Sequence, residues 1–121
     1  MVLNDKTIAV TGASGMIGAY ICRALLARGA NVVGVVRNPD KAAFLTREGV
    51  TFRRADLADR RSLTDAFVGA DAVVSNAALY RLTNLDWESN YLPNKTGTEN
   101  VFEAMQKNGI KRAVHRSEER R

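Results

Sequence analysis

Short apolar runs alternate along the chain with longer stretches that mix apolar and polar residues. The second of these runs, Asn31 to Val36, is almost entirely apolar and rich in valine. Runs of this length without alternation are typical of parallel strands that are covered on both faces. The pattern therefore predicts five short strands, at residues 6–11, 31–36, 50–55, 71–75 and 110–115.

The stretches between the apolar runs are predicted to be helices. Residues 15–28 place Ile17, Ile21 and Leu25 on one helical stripe. Asn38-Pro39 is typical of a helix start, and this second helix is expected to reach about residue 47. The remaining helices are expected to run from Asp59 or Ser62 to Val68 and from Pro93 to Lys107.

Glycines mark the predicted helix ends. A glycine just past a helix accepts the left-handed conformation that closes it. Such glycines precede the apolar runs at Gly29, Gly49, Gly69 and Gly109. Strands and helices that alternate in this way predict an α/β fold with a doubly wound parallel sheet and right-handed crossovers.

A glycine-rich segment joins the first predicted strand to the first helix, and it reads Thr11-Gly12-Ala13-Ser14-Gly15-Met16-Ile17-Gly18. Gly12 would form a tight turn, Gly15 would let backbone amides approach a pyrophosphate, and Gly18 would let the helix pack closely on the sheet. The phosphates would then lie at the positive end of the helix. The segment predicts a Rossmann-like dinucleotide site, and a loop used only for packing is the alternative.

The end of the second strand bears on the choice between NAD and NADP. A carboxylate about 20 residues past the glycines usually holds the ribose hydroxyls of NAD. Here the strand ends Val36-Arg37-Asn38, without a carboxylate. The guanidinium of Arg37 would match a 2′-phosphate as a bidentate fork, so the sequence favours NADP. The alternative is a solvated surface arginine paired with Asp40.

Composition and charge remove several other classes of protein. The 121 residues suffice for one domain, and 45% are hydrophobic. The net charge of +5 lies largely in the tail: residues 1–110 carry 13 basic and 11 acidic side chains, and the last eleven carry 5 and 2. We therefore expect no nucleic-acid partner. One cysteine, Cys22, and one histidine, His115, exclude an internal disulfide framework and argue against a metal site.

Membrane and secretory signals are missing from the pattern. The apolar runs are far shorter than a membrane span, and the first six residues lack the layout of a secretory signal. The sequence therefore predicts a cytoplasmic protein without a membrane partner.

Taken together, the motifs resemble the extended short-chain dehydrogenase/reductase family, also called the NAD-dependent epimerase/dehydratase group. Within it they are most similar to dihydroflavonol-reductase-like proteins and hopanoid-associated sugar epimerases. The resemblance covers about residues 5–115. It rests on the glycine-rich segment and on Asp56-Leu57, Asn76-Ala77-Ala78, Tyr80-Arg81-Leu82, residues 94–101 and Gly109-Ile110-Lys111-Arg112.

The resemblance implies roles for residues that follow the third and fourth strands. Asp56 and Leu57 would flank the adenine, and Asn76, Ala77 and Ala78 would line the cofactor cleft. Loops at the carboxyl ends of parallel strands are where such sheets bind ligands, which agrees with this placement. The alternatives are a helix cap or turn residue for Asp56 and a turn amide for Asn76.

The sequence departs from the family after the fifth strand, where a catalytic Tyr-x-x-x-Lys is expected. Ser117 is followed only by Glu118-Glu119-Arg120-Arg121. Tyr91 and Lys95 match the pattern literally, but Pro93 between them makes a regular helical turn doubtful. We therefore assign no catalytic residue and expect a dinucleotide-binding domain at residues 1–115, an incomplete sheet of about five strands, and a polar tail at 116–121 outside the fold.

The resemblance and the missing dyad together predict a truncated, amino-terminal, NAD(P)-binding portion of a reductase or sugar-nucleotide epimerase. Such an enzyme transfers hydride at a carbonyl or alcohol carbon, and the chain as written is expected to be inactive. A small-molecule substrate is expected only in a full-length relative, and a homodimer through the long last helix is possible. The alternatives are a non-catalytic dinucleotide-binding or sensing module and an inert truncated product.

Overall fold

The computed structural model describes residues 3–13, 15–76 and 87–115, with the backbone alone at residues 41–42, 87–95 and 115. Five strands form one sheet in the order β3-β2-β1-β4-β5, and every neighbouring pair is parallel. The strands are β1 (Thr7–Thr11), β2 (Asn31–Val36), β3 (Thr51–Arg54), β4 (Ala72–Ser75) and β5 (Arg112–His115). The predicted doubly wound parallel sheet is confirmed.

Helices cover both faces of this sheet. They are α1 (Met16–Ala27), α2 (Ala43–Thr46), α3 (Arg60–Ala66) and α4 (Trp87–Lys107), and a 3-10 helix, Pro39–Ala42, precedes α2. Successive residues of β1 point to opposite faces: Ile8 and Val10 pack with Cys22 of α1, and Ala9 packs with Val101 of α4. The central strands β1 and β2 are therefore buried on both faces, which explains why they lack a polar alternation, whereas β3 and β5 at the sheet edges are more exposed.

Two helix starts follow the capping chemistry in the sequence. The Asp59 carboxylate accepts a hydrogen bond of 3.2 Å from the Ser62 N–H, so Asp59 and not Ser62 caps α3. The Asn38 side chain accepts from the Asp40 N–H at 3.1 Å. That cap leads first into a 3-10 turn, so the predicted continuous second helix is split in two.

The last helix begins earlier than predicted. It starts at Trp87 rather than at Pro93, and it continues through the proline without interruption. A proline removes one N–H from the helical ladder, and a helix of 21 residues retains enough other hydrogen bonds to accommodate it. The expected break between Tyr91 and Lys95 was therefore wrong. Their side chains lie outside the described residues, and their non-catalytic role stays a prediction.

The end of α3 is held by a side chain from the sheet. Arg53 of β3 donates from Nη1 to the carbonyl oxygens of Ala66 and Val68, at 2.8 and 2.7 Å. These are carbonyls that the helix itself leaves unpaired at its carboxyl end. Arg53 is therefore a structural cation, which joins β3 to the helix that follows it.

Burial of the Cys22 thiol predicts a change in its reactivity. The side chain is fully buried in the layer under α1, and burial raises its pKa to about 11. We expect the native thiol to resist Ellman's reagent at pH 8 and the unfolded chain to react readily, since an exposed cysteine ionises near pH 8.5.

The same shift makes stability depend on pH. The folded state holds the proton more tightly than the unfolded chain, so its contribution is complete below about pH 8.5 and is lost as the pH rises to about 11. Urea unfolding at pH 8 and pH 10.5, with Cys22→Ala as the control that removes the titration, measures it. For the reactivity experiment, equal rates of reaction with Ellman's reagent in the folded and unfolded protein would contradict the burial of the Cys22 thiol.

Candidate functional site

The strand order reverses between β1 and β4, and this reversal defines a crevice. The chain leaves β1 toward β2 on one side, and β4 lies on the other side of β1. Open parallel sheets bind ligands outside the carboxyl ends of their strands at such a point. The residues that enter the crevice are those that follow Thr11 of β1 and Ser75 of β4.

The turn after β1 is tight and is braced by the backbone. Gly12 has a φ of +68°, which favours glycine, and its N–H donates to the Val35 carbonyl at 3.1 Å. The Gly15 N–H donates back to the Gly12 carbonyl at 3.2 Å. A Cβ on Gly18 would lie 2.8 Å from the Gly12 carbonyl carbon and 2.9 Å from the Ala13 Cα. Only glycine allows α1 to approach the turn this closely.

Gly15 differs from the other two glycines of this turn. Its φ is −75°, and the nearest atom to a Cβ built there is the Gly12 carbonyl oxygen at 3.6 Å, an ordinary contact. Neither backbone strain nor crowding within the protein requires glycine at this position. A role in packing alone therefore accounts for Gly18 but not for Gly15.

The first turn of α1 is open to the crevice. Gly15 occupies the N-cap position, no side chain of the described residues caps the helix, and its first turn contains no acidic residue. Met16 and Ile17 are exposed. The first amides of a helix lack intrahelical partners and carry partial positive charge. This arrangement suits an anion such as a phosphate group.

A polar link joins the ends of β1 and β4 beneath the crevice. Thr11 Oγ1 accepts from the Asn76 N–H at 2.9 Å, and the Asn76 side-chain amide donates to the Gly12 carbonyl at 3.4 Å. The Asn76 Oδ1 atom is buried and has no hydrogen-bond donor among the described residues. A buried amide oxygen without a donor is costly, so this atom fits a donor outside the described part of the chain.

The loop after β3 forms a local turn. Asp56 Oδ1 accepts from the Ala58 N–H at 2.9 Å, and the Asp56 N–H donates to Ser62 Oγ at 3.1 Å. The interpretation of Asp56 as a turn residue therefore accounts for its Oδ1 atom and leaves its other carboxylate oxygen unexplained. Leu57 is partly buried and packs against the core layer under α3 and α4.

Two arginines lie at neighbouring strand ends. Arg37 directly follows β2, is exposed and forms no ion pair with Asp40. Arg54 ends β3 opposite Val36 and is also exposed. Sequence reasoning did not single out Arg54, because its place beside Arg37 depends on the register between β2 and β3.

Asn100 of α4 was also missed. Its side chain is 7% exposed and donates to the Leu57 carbonyl at 2.7 Å. The residue lies in the segment 94–101 that carried the resemblance, but a contact across 43 positions leaves no local signal. Other predicted positions lie outside the described residues, namely Ser14, Ala77, Ala78, residues 80–82 and the tail 116–121.

Neither membrane helices nor metal clusters occur in the described residues. No helix there is long and apolar enough to cross a membrane. No group of three or more His, Cys, Asp or Glu side chains among them is placed to hold a metal ion.

The sheet order, the glycine turn and the open helix start define a nucleotide-binding α/β domain. A family model described as NAD(P)H-binding matches residues 12–118. The chain therefore belongs to this NAD(P)H-binding family, as a member of the extended short-chain dehydrogenase/reductase group, and its cofactor is a nicotinamide dinucleotide.

Curated relatives agree with this membership. Sterol demethylase protein B of Methylococcus capsulatus is 37% identical over 113 residues, which are 92% of this chain and 34% of that protein. Cinnamoyl-CoA reductase 1 of Petunia hybrida is 35% identical over 122 residues, 95% of this chain and 36% of that enzyme. The chain spans about a third of the length of the curated relatives it matches.

Solved structures show the same fold with either form of the cofactor. Triphenylmethane reductase of a Citrobacter species, complexed with NADP(H), has a TM-score of 0.72 and 28% identity over 90% of this chain and 36% of that one. The enzyme WbmH of Bordetella bronchiseptica, in complex with NAD+, has a TM-score of 0.72 and 32% identity over 91% of this chain and 38% of that one. Both bound forms occur among similar proteins.

Proposed function

We propose that this chain binds NADP in preference to NAD in the crevice between β1 and β4, as the cofactor-binding part of a reductase or epimerase. The observation that carries the proposal is the open, uncapped start of α1 at Gly15, directly above the point where the strand order reverses. The residues fit a dinucleotide, because Gly15 leaves room for a phosphate group at the positive end of α1.

The proposed contacts follow the order of the strands. The pyrophosphate would lie over the amides at the start of α1, and the adenine would lie beside Asp56 and Leu57 at the end of β3. Asn76 would meet the part of the cofactor that lies over β4. The other residues proposed to line the cleft are Gly12, Ala13, Ser14, Met16, Ile17, Gly18, Ala77 and Ala78.

The preference for NADP is supported by charge at the end of β2. The residues that end this strand include no carboxylate, and Arg37 and Arg54 are exposed there without an ion pair to any described acidic residue. Two guanidinium groups favour a 2′-phosphate over a ribose hydroxyl. The similar structures contain NADP(H) in one case and NAD+ in another. The proposed preference for NADP therefore rests on the two arginines.

The proposed reaction is hydride transfer at a carbonyl or alcohol carbon of a small molecule. The nicotinamide supplies the hydride chemistry when the cofactor is bound, and the described residues bind and orient that cofactor. Curated relatives include cinnamoyl-CoA reductases, whose name states that they are reductases, which supports this reaction type. The domain at residues 1–115, the tail at 116–121, a homodimer through α4 and a cytoplasmic location stay predictions.

Fluorescence titration with NADPH and NADH tests the proposal, and the key variant is Arg37→Met. We expect wild type to bind NADPH more tightly. Loss of a charge-assisted hydrogen bond to phosphate should lower NADPH affinity by roughly 10- to 100-fold and leave NADH affinity within about twofold. Arg61→Met is the matched control, since Arg61 is an exposed arginine of α3.

The outcomes separate the alternatives. Tighter binding of NADH by wild type would overturn the preference for NADP and leave dinucleotide binding in place. Binding of neither nucleotide would defeat the proposal and favour the inert product. Equal losses in Arg37→Met and Arg61→Met would assign the effect to general surface charge, which is screened by salt, rather than to a phosphate site.

A further inference from the structure

We propose that α4 positions the adenine-binding loop through Asn100 and Gly97, and that this contact sets how strictly the site selects adenine. Asn100 is a positioning residue in this proposal, because it acts on the base through Asp56 and Leu57. The inference rests on the proposed function, in which these two residues flank the adenine.

The Asn100 side chain reaches the loop from a different element of the fold. It is nearly fully buried, and its Nδ2 donates to the Leu57 carbonyl at 2.7 Å. A buried amide directed at a loop carbonyl fixes that carbonyl, since loss of the donor would leave the oxygen without its partner.

The same peptide unit is held at its other end by Asp56. The peptide that joins Leu57 to Ala58 has its oxygen bonded to Asn100, and its N–H donates to Asp56 Oδ1 at 2.9 Å. A peptide unit is planar, so two hydrogen bonds on its opposite sides fix its orientation. Asn100 therefore orients the Asp56 carboxylate indirectly, through this shared peptide.

Gly97 brings the helix close enough for this contact. It lies one turn before Asn100 on the same face of α4, and a Cβ there would lie 3.3 Å from the Leu57 Cβ and 3.4 Å from its Cδ1. Glu103, one turn further along, forms an ion pair of 3.0 Å with Arg60 at the start of α3. This face of α4 therefore contacts both the loop after β3 and the helix that follows it.

The orientation of the Asp56 carboxylate determines how well it can distinguish adenine from hypoxanthine. One Asp56 oxygen is occupied by the Ala58 N–H, and the other has no partner among the described residues. An ionised carboxylate only accepts hydrogen bonds. It suits the 6-amino group of adenine, which donates, and opposes the 6-oxo group of hypoxanthine, which accepts. A carboxylate held in one orientation selects between the two bases, and a carboxylate that is free to turn selects poorly.

The test compares NADPH with its hypoxanthine analogue, in which the 6-amino group of adenine is replaced by a 6-oxo group. Each ligand is titrated into the full chain. We expect wild type to bind NADPH about tenfold more tightly than the analogue, and Asn100→Ala to lower this ratio to less than about threefold. The ratio is informative because a general destabilisation of the protein would lower the affinity for both ligands alike. Asn108→Ala is the matched control: Asn108 lies directly after α4 and donates to the Thr64 carbonyl at 2.9 Å, away from Leu57.

A second variant keeps the test independent of folding. Gly97→Ala adds a methyl group against Leu57, and alanine is a better helix former than glycine, so the helix itself is not weakened. We expect a chain that is folded and a ratio that falls toward one. This variant carries the test where Asn100→Ala does not fold.

Each outcome decides the inference. An unchanged ratio in both α4 variants, or equal binding of the two ligands by wild type, overturns the positioning role and leaves dinucleotide binding in place. A ratio that falls as far in Asn108→Ala also overturns it. Failure of wild type to bind any of these nucleotides defeats the proposed function itself.

Discussion

Gly18→Ala and Gly18→Val are both expected to lower the free energy of unfolding by about 3 kcal/mol. The Cβ would lie 2.8 Å from the Gly12 carbonyl carbon and 2.9 Å from the Ala13 Cα. Both are backbone atoms of the turn after β1, so no side chain is available to move aside. Relief requires α1 to shift away from the sheet and uncover the core around Cys22.

Urea unfolding of the two variants measures this loss, with Gly15→Ser as the matched control in the same turn. A Cβ on Gly15 meets nothing closer than 3.6 Å, and serine is a preferred N-cap, so we expect its stability to stay within about 0.5 kcal/mol of wild type. Because the first side-chain carbon causes the clash, alanine should account for most of the loss in valine. An alanine variant as stable as wild type would contradict the close approach.

The strands and the glycine turn could be predicted from the sequence because their signals are local. An uninterrupted apolar run such as Asn31–Val36 needs burial on both faces, and β2 has the predicted bounds. The turn at Gly12 and the contact at Gly18 follow from three glycines placed between a strand and a helix.

The start of α4 could not be predicted in this way, since Pro93 is read locally as a first helical residue. The helix instead begins at Trp87, in a polar stretch without an apolar period. Intrinsic helix propensity predicts the start of a helix poorly where the rest of a long helix is fixed by packing. In α4 this packing involves residues such as Val101 and Met105.

The missed parts of the site share one physical property: they depend on which elements come together. Arg54 lies beside the end of β2 because Val36 pairs with it across the sheet. The Asn100 contact with Leu57 and the Asn76 contact with Thr11 join residues 43 and 65 positions apart. Amides at such positions resemble ordinary turn or helix residues until the strand order is known.

Gly15→Asp is expected to abolish measurable dinucleotide binding while leaving the fold as stable as wild type or slightly more so. Asp is a preferred N-cap, and its charge interacts favourably with the positive end of α1, which has no acidic residue in its first turn. The same carboxylate would occupy the place proposed for the pyrophosphate and repel it. We expect NADPH affinity to fall by at least about 100-fold, which corresponds to about 2.8 kcal/mol.

Comparison of Gly15→Asp with Gly15→Asn distinguishes the effect of the new side chain's charge on binding from the effect of its volume. Asparagine has nearly the same shape and also caps helices well, so both variants should unfold at similar urea concentrations. We expect Gly15→Asn to lose much less affinity for NADPH, and the difference between the two variants to shrink as salt is raised, because salt screens charge and not volume. An aspartate variant that binds NADPH as wild type does would place the phosphates away from α1, and the glycine at position 15 would then need a different explanation from the one its open surroundings suggest.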